Sequence, residues 1–429
     1  MKTREIYSLN GLPPEVIAVA FAKTSRSPES FKQIAASLSE EGASKFHEKW
    51  VVGYGHSSVA EAAILHIAIE NVSMLAAKAI EDNRLASYTE KSTRYQLYDN
   101  DAYYVPEKIL GTKLEVKYRS FVELLFEKYN LWHSELKKQF LSNGDVERVA
   151  TSKACDAIRG ILPIGTLTNL GMTINARSLC HTIKKLKGSK IEEVQAIGNQ
   201  LELVGREQVP TLMRHLDPYS IGWDVTALLQ NNTIEYKNSV SRIELSNIGY
   251  CLSVPMPEWK AWDPIPEIFE TGHAQVQMLY PFTTYRDLQR HRMCYHQMYI
   301  PSLTTFVVPR GVAMLGMEAE YHRLICKCTI LTRELHRVCP NDMIYHVPMH
   351  IRVSHNIFCN LRELLHILIL RTRPNGDPEY VELVKDIETQ FSKSLPQSKT
   401  RDFIERLLTE SRDVRQAKNK EVRVDVKAT

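Results

Sequence analysis

One spacing occurs in both halves of this 429-residue chain, and any fold proposed for one half has to serve the other. Pro163 precedes Asn175 by 12 positions, and Pro348 precedes Asn360 by 12. Each Asn opens an Asn-x-Arg triplet, Asn175–Arg177 and Asn360–Arg362, and six positions after each Asn stands a histidine, His181 or His366. Two unrelated helices would share part of such a pattern by chance. Proline, Asn, Arg and His all in register argue for an internal duplication of one supersecondary unit.

The hydrophobic pattern supplies the elements of that unit. Residues 12–50 read as helices, and AAILHIAIE, apolar with a partial period of two, reads as a strand. SMLAAKAI reads as a helix, and the hydroxyl-rich NRLASYTEKSTRY that follows reads as a loop. Residues 113–142 and 146–160 read as helices, Pro163 marks a break, and a helix restarts near Asn175. Residues 216–262 lack helical periodicity and read as a connector with a few strands. The order then recurs. HAQVQMLYPF reads as a strand, TTYRDLQRHRM as a helix, 317–339 as an amphipathic helix, and NIFCNLRELLHILILRTR, after Pro348, as a helix. The expected organisation is copy one at 1–215, a connector at 216–262, copy two at 263–396 and a charged tail at 397–429, an α+β chain of two tandem copies, each an antiparallel or mixed sheet flanked by long helices.

Copy two holds the densest basic cluster, Arg286, Arg290, His291 and Arg292. Arg290 and Arg292, two apart, would point to different sides of a regular helix, so the triplet fits a helix end where the chain bends. Guanidinium groups gathered there suit an anion, because Arg forks onto phosphate oxygens in a way Lys cannot copy. A solvated basic helix end is the plain alternative. Net charge is only +4, too mild to argue for a nucleic-acid partner. The longest apolar run, LLHILIL, falls short of a membrane span, and the start lacks the apolar core of a signal peptide. The eight cysteines and fifteen histidines show no zinc-ligand spacing, so a reduced cytoplasmic protein without a structural metal is expected.

These motifs together resemble the flavin-dependent thymidylate synthase family, whose signature is Arg-His-Arg, seven residues, then Ser. Copy one keeps Arg84, with Ser92 at the right distance and Glu90, Lys91, Thr93 and Arg94 around it. The GHSS stretch with His56, the IRGILP stretch with Arg159, and TINARSL are similar to the family too. Copy two keeps Arg290-His291-Arg292, the Asn-x-Arg helix and Arg371, but has Ile300 in place of the Ser and Ile344 in place of Arg159. Copy one has Asp82 and Asn83 where the leading Arg and His belong, preceded by Glu81, and acidic groups facing a flavin diphosphate are unfavourable.

The resemblance implies a composite site. Copy one would hold the phosphate of dUMP with Glu90, Lys91, Ser92, Thr93, Arg94 and Arg159. Copy two would hold FAD with Arg290, His291 and Arg292, and would place Arg371 as the catalytic group against the pyrimidine. His56, Asn175, Arg177, His181, Asn360, Arg362 and His366 would line the flavin. Methylenetetrahydrofolate and NADPH are the implied co-substrates, and a homodimer acting as a pseudo-tetramer the implied assembly. Each residue type also has a structural use: Asn175 and Asn360 can cap helices, His181 and His366 can pack on a helix face, and Arg159 can form an ion pair. The competing readings are a non-catalytic relative that binds nucleotide or scaffolds an assembly, an enzyme acting on a related pyrimidine nucleotide, and a nucleic-acid binder, which would need a concentrated basic stripe.

Overall fold

The computed structural model describes residues 11–24, 27–49, 57–220, 241–254, 258–260, 263–300, 305–373 and 376–425, with side chains described as far as residue 412. Compactness and sequence repetition divide the chain differently. Unit 1 consists of residues 1–127, 163–226 and 330–347, and unit 2 of residues 128–162, 227–329 and 348–429.

Unit 1 opens with α1 (Pro14–Thr24), α2 (Phe31–Ser37) and α3 (Glu40–His47). The helix expected to continue from Phe31 is interrupted at Leu38 and Ser39, because the Ser39 hydroxyl accepts the Gly42 N–H and starts a new helix. Then come β1 (Ile64–Ser73), α4 (Met74–Glu81) and β2 (Ala86–Glu90). Helix α5 (Lys113–Ser142) begins in unit 1 and its second half counts with unit 2, as does α6 (Glu147–Ile158). Strand β3 (Leu167–Asn175), α7 (Ala176–Lys187) and α8 (Glu192–Gln208) follow in unit 1, which also takes in residues 330–347.

The sheet of unit 1 is antiparallel, in the order β1-β3-β2. Leu65, Ile67 and Ile69 alternate inward along β1, and each buried side chain of this size contributes about 2 kcal/mol. A bulge between Ile69 and Val72 adds a residue to β1, with Asn71 in the left-handed region at φ 56°. Asn tolerates that conformation, and the Asn71 N–H donates to the Asn169 side-chain oxygen at 2.9 Å.

Unit 2 contains β4 (Ser241–Ser246), α9 (Ile248–Ser253), β5 (His273–Pro281), α10 (Phe282–Leu288), β6 (Tyr295–Tyr299), α11 (Arg310–Met314), most of α12 (Glu318–His336), β7 (Arg352–Asn360), α13 (Leu361–Arg371), α14 (Pro378–Ser394) and α15 (Lys399–Asp425). Its sheet runs β4-β5-β7-β6, again antiparallel. Strands β5, β7 and β6 repeat β1, β3 and β2, while β4 has no counterpart among the described residues of unit 1. The pairing makes the equivalence explicit. Asn175 faces Ile64 on β1 as Asn360 faces His273 on β5, and Tyr88 faces Met172 as His296 faces Ile357.

The chain is thus α+β and carries two copies, as its motifs implied. Three local readings are corrected. The loops expected after SMLAAKAI and after the basic triplet contain β2 and β6, because the central strands β3 and β7 supply their hydrogen-bond partners. NIFCN is strand, and the helix begins only after Asn360. The connector contains β4 and the short α9, and residues 221–240 lie outside the described residues.

The same two-bond clasp occurs once in each unit. In unit 1 the N–H groups of Ile164 and Gly165 donate to the carbonyls of Val347 and Tyr345 at 2.8 and 2.7 Å. In unit 2 those of Met349 and His350 donate to Leu162 and Gly160 at 2.9 Å each. Each turn before a proline therefore pairs with the start of the other copy's strand segment. A Cβ on Gly160 would lie 1.9 Å from the His350 ring, so only glycine fits at that clasp. Among the described residues no helix is long and apolar enough to cross a membrane.

Candidate active site

The basic triplet sits just past the end of α10, every residue of which is buried. Backbone bonds from His291 to Leu288 O at 3.1 Å and from Cys294 to His291 O at 3.0 Å shape the turn. It leaves Arg290 exposed, buries His291 and half-buries Arg292. The His291 ring is engaged on both sides by α13. Its Nδ1 lies 3.2 Å from Glu363 Oε1, and its Nε2 accepts the Arg371 Nε–H at 2.9 Å. Arg371 also donates through Nη2 to the Asp287 carbonyl at 2.6 Å and lies over the Tyr380 ring at 5.4 Å. Burial first, and Arg371 next, hold the His291 pKa well below the usual histidine value. The ring is therefore neutral, with its proton on Nδ1. His366 stands edge-on to it at 5.7 Å.

A second set of bonds approaches the turn from the sheet. His296 Nε2 faces the His291 carbonyl at 2.9 Å, so it must donate. Its Nδ1 is then the acceptor for His355 Nε2 at 3.0 Å, and His355 Nδ1 accepts the Tyr280 hydroxyl. Donation thus runs one way, from Tyr280 through His355 and His296 to the backbone of the triplet. Burial holds the His355 pKa well below its usual value, as a neutral link requires.

Arg159 departs from expectation. It belongs to copy one in sequence, yet the clasp at Gly160 and Leu162 puts it in unit 2, in a different unit from Glu90, Ser92 and Arg94. It is 4% exposed, and its Nη2 donates to Asp287 at 2.8 Å and to Asp377 at 2.6 Å. Burial would raise the Asp287 pKa, but Arg159, with Arg290 and Arg371, outweighs it and holds the carboxyl at about 2. For Asp377 burial dominates over Arg159, and the pKa rises to about 6. Beside them His350 faces Glu379 at 3.2 Å and the Val307 carbonyl at 3.3 Å. Arg159 is thus committed to carboxylates, the ion-pair use of this residue type.

In unit 1 the residues around Ser92 stay together. Lys91 N–H donates to Asn169 O at 2.8 Å, and the Ser92 hydroxyl accepts the Arg94 N–H at 3.2 Å. Thr93 is buried, Lys91 lies over the Tyr98 ring at 5.4 Å, and Arg94 lies over Tyr95 at 5.9 Å. Glu90 points inward to the fully buried Lys78 at 3.1 Å, and Lys78 also bonds Glu81. Where unit 2 has Arg290, unit 1 has Asp82, bonded to Lys185 at 2.5 Å.

The Asn-x-Arg motifs have a structural use in both copies. Asn175 caps α7 by accepting the Ser178 N–H at 2.8 Å, and Asn360 caps α13 by accepting that of Glu363 at 2.9 Å. Arg177 pairs with Glu61, and Arg362 with Glu270 and the Ile265 carbonyl. His181 meets the Tyr219 hydroxyl at 3.1 Å. His56 lies outside the described residues. Sequence reasoning missed Glu363, Tyr280, His296 and His355. For Tyr280 and His355 a signal was available, as polar residues standing where copy one has Val72 and Leu170, while Glu363 and His296 stand opposite Ser178 and Tyr88, which are polar too.

A duplicated α+β unit, with an Asn-capped helix behind a basic helix end, defines a class of two-copy proteins built on one motif set. The family model described as thymidylate synthase complementing protein matches residues 9–211 and 263–397, and the chain belongs to that family. It is 24% identical to a UPF0159 protein of Chlamydia pneumoniae, over 92% of this chain and 90% of that one. A flavin-dependent thymidylate synthase of Clostridium tetani is 27% identical over 48% of this chain and 83% of its own length. Among solved structures, a flavin-dependent thymidylate synthase from Helicobacter pylori complexed with FAD and dUMP aligns at TM-score 0.33 and 20% identity, over 48% of this chain and 96% of its own.

Proposed function

We propose that the chain is a flavin-dependent enzyme that methylates C5 of dUMP to give dTMP, taking its carbon from methylenetetrahydrofolate and its electrons from NADPH. One observation supports this above the others: the two halves of the implied site survive once each, on different units. Unit 1 carries the phosphate loop, with Lys91, Ser92, Thr93 and Arg94. Unit 2 carries the basic turn and Arg371. An assembly of two chains would then equal four copies, with half of the possible centres competent.

The residues of unit 2 fit the anionic part of FAD, since Arg290 is exposed and Arg292 half-exposed on a turn anchored by buried bonds. The equivalent turn of unit 1 does not fit it, because Asp82 stands in place of Arg290. Bound there, a flavin supplies hydride transfer, and the chain's own groups do the rest. Ser92 and Arg94 hold the nucleotide phosphate through hydroxyl, backbone and guanidinium donors. Arg371 stabilises negative charge developing on the pyrimidine as C5 attacks the carbon donor, with no protein nucleophile. Glu90 acts through Lys78 and leaves phosphate to its neighbours, and Arg159 braces unit 2.

The test is the visible absorption spectrum of the purified protein after loading with FAD and desalting, followed by a dUMP methylation assay. A flavin spectrum lost in Arg290→Ala/Arg292→Ala and kept in Arg84→Ala, with methylation in the wild type, supports the reading. Folded protein that retains no flavin in the presence of dUMP overturns it. That result would favour the second reading, a nucleotide-binding or scaffolding relative. The neutralised Arg159 speaks for that reading, since it removes one implied phosphate ligand.

A further inference from the structure

We propose that Glu363 and His291 are positioning residues for Arg371, and that this chain uses the histidine of its basic triplet to aim an arginine at the nucleotide. The inference rests on the reading of Arg371 as the group that faces the pyrimidine.

The geometry carries it. His291 Nδ1–H is directed to Glu363 Oε1 at 3.2 Å, which leaves Nε2 bare to accept Arg371 Nε–H at 2.9 Å. Arg371 Nη2 is fixed by the Asp287 carbonyl at 2.6 Å, and the Tyr380 ring limits rotation of the guanidinium plane. Two of its three nitrogens are thus bound by the protein. A carboxylate that orients an imidazole, which in turn orients the working group, is a general device for fixing tautomer and direction. Both nitrogens of the ring are engaged by these partners, so His291 itself has little left to offer a flavin.

The duplication provides an internal control. The three positions in copy one are Ser178 for Glu363, Asn83 for His291 and Leu186 for Arg371. All three members differ, and Leu186, in the place of Arg371, has no side-chain group that can hydrogen-bond. Asn83 instead donates to the Ile80 carbonyl at 3.1 Å. A set present as a whole in one copy and missing as a whole in the other behaves as one device. The chain Tyr280–His355–His296 belongs to the same copy and ends on the His291 carbonyl, so it fixes the backbone from which the ring projects.

The set is also sensitive to protonation. A proton on His291 Nε2 would put two donors face to face and release Arg371. The groups facing the ring are Arg371, His366 and Glu363 from α13, His296 from β6, and Arg292 from its own turn. All but Glu363 are cationic or can become so, and they oppose that proton. Arg371 is therefore held throughout the neutral range.

The test measures dUMP binding by calorimetry on the full chain, for Arg371→Ala, His291→Asn, Glu363→Ser and the paired variants. Wild-type affinity should fall about tenfold or more for Arg371→Ala and for His291→Asn, and the double variant should bind no worse than Arg371→Ala alone. Glu363→Gln, which keeps an acceptor for Nδ1–H, should restore most of what Glu363→Ser loses. Losses that add independently overturn the proposal. The nitrogen-15 imidazole resonance of His291, assigned by its absence in His291→Asn, gives a readout that needs no ligand. It should show a proton on Nδ1 and a bare Nε2 in the wild type, and a proton on Nε2 overturns the proposal. A wild type that binds no dUMP sinks the proposed function and with it the aim at the nucleotide, whereas a wild type that binds dUMP with its proton on Nε2 overturns the positioning alone.

Discussion

The two units build the same three-stranded core and helices and fill a set of equivalent positions with different chemistry. Helix α4 of unit 1 presents Leu75, Ala76, Ala77 and Ala79, where α10 of unit 2 presents Thr283, Thr284, Tyr285 and Asp287, all buried. On the central strands, Asn169, Leu170 and Gly171 of β3 correspond to Ser354, His355 and Asn356 of β7. Buried polar groups cost free energy unless every one is paired, so an apolar filling is the easier solution, and unit 1 adopts it at these positions, while α4 also keeps the buried Lys78 ion-paired to Glu81 and Glu90. Unit 2 retains the harder one around its basic turn. The difference locates the elaborated half-site without reference to any ligand.

The largest expected effect comes from breaking the ion cluster that belongs to unit 2. Arg159→Met should destabilise the protein by about 3–5 kcal/mol, because it leaves the buried carboxylates of Asp287 and Asp377 facing each other. Urea unfolding at neutral pH measures it. A loss below about 1 kcal/mol would mean that these carboxylates are hydrated in solution and that the contrast between the units is overdrawn.

The polar chain offers a finer test. His355→Leu, which installs the residue of copy one, should cost about 2–3 kcal/mol by stranding the Tyr280 hydroxyl and His296 Nδ1. Tyr280→Val, His355→Leu and His296→Tyr together transplant the whole unit 1 solution and should recover most of that loss. Thermal unfolding of the single and triple variants decides the matter. A triple variant worse than the single one would show that the two scaffolds are not interchangeable.

Acid–base behaviour should separate Asp342 of unit 1 from Asp287 of unit 2 by sign. Asp342, in unit 1, has its pKa raised to about 6 by burial first and by Glu192 next. Its folded value lies above the unfolded one, so its contribution is present at low pH and is lost as pH rises through about 6. Asp342→Asn, which keeps an acceptor for the Glu192 N–H, should stabilise the protein by about 2 kcal/mol at pH 8, and by progressively less towards pH 4. Asp287, in unit 2, is held at about 2, below its unfolded value. Its contribution is present above the unfolded pKa and is lost as pH falls through about 2, so Asp287→Asn should destabilise at pH 7 by about 2 kcal/mol. Equal signs for the two variants at neutral pH would refute the contrast between these two carboxylates.

Much of this contrast was legible in the sequence, and the exceptions have physical causes. The duplication, the strand ahead of each short helix and the helix end at Arg290 follow from local periodicity and spacing, and they stand in the fold. Strands β2 and β6 were hidden because TYR- and Ser-rich stretches such as ASYTE and YHQMY become strands only through the partners that β3 and β7 offer. NIFCN was absorbed into a helix because its apolar run is continuous and the cap at Asn360 marks the true start. The destination of Arg159 could not be read at all. Nothing local to IRGILP states that its turn will pair with the strand segment of the other copy.

The smallest predicted effect bears on the Asn-x-Arg motif. Arg177 and Glu61 are about half exposed, and an ion pair of that kind contributes well under 1 kcal/mol. Arg177→Ala should therefore leave the unfolding midpoint almost unchanged. Arg362 is less exposed and also donates to the Ile265 carbonyl at 2.9 Å, so Arg362→Ala should cost about 1 kcal/mol. If these arginines serve only as braces, neither substitution alters flavin retention once the protein is folded. Flavin lost from Arg362→Ala and kept by Arg177→Ala would mean that copy two has turned even its helix brace to ligand binding. Loss from both would return the motif to the cofactor role that the resemblance implied, and would show that unit 1 kept more of the site than its apolar filling suggests.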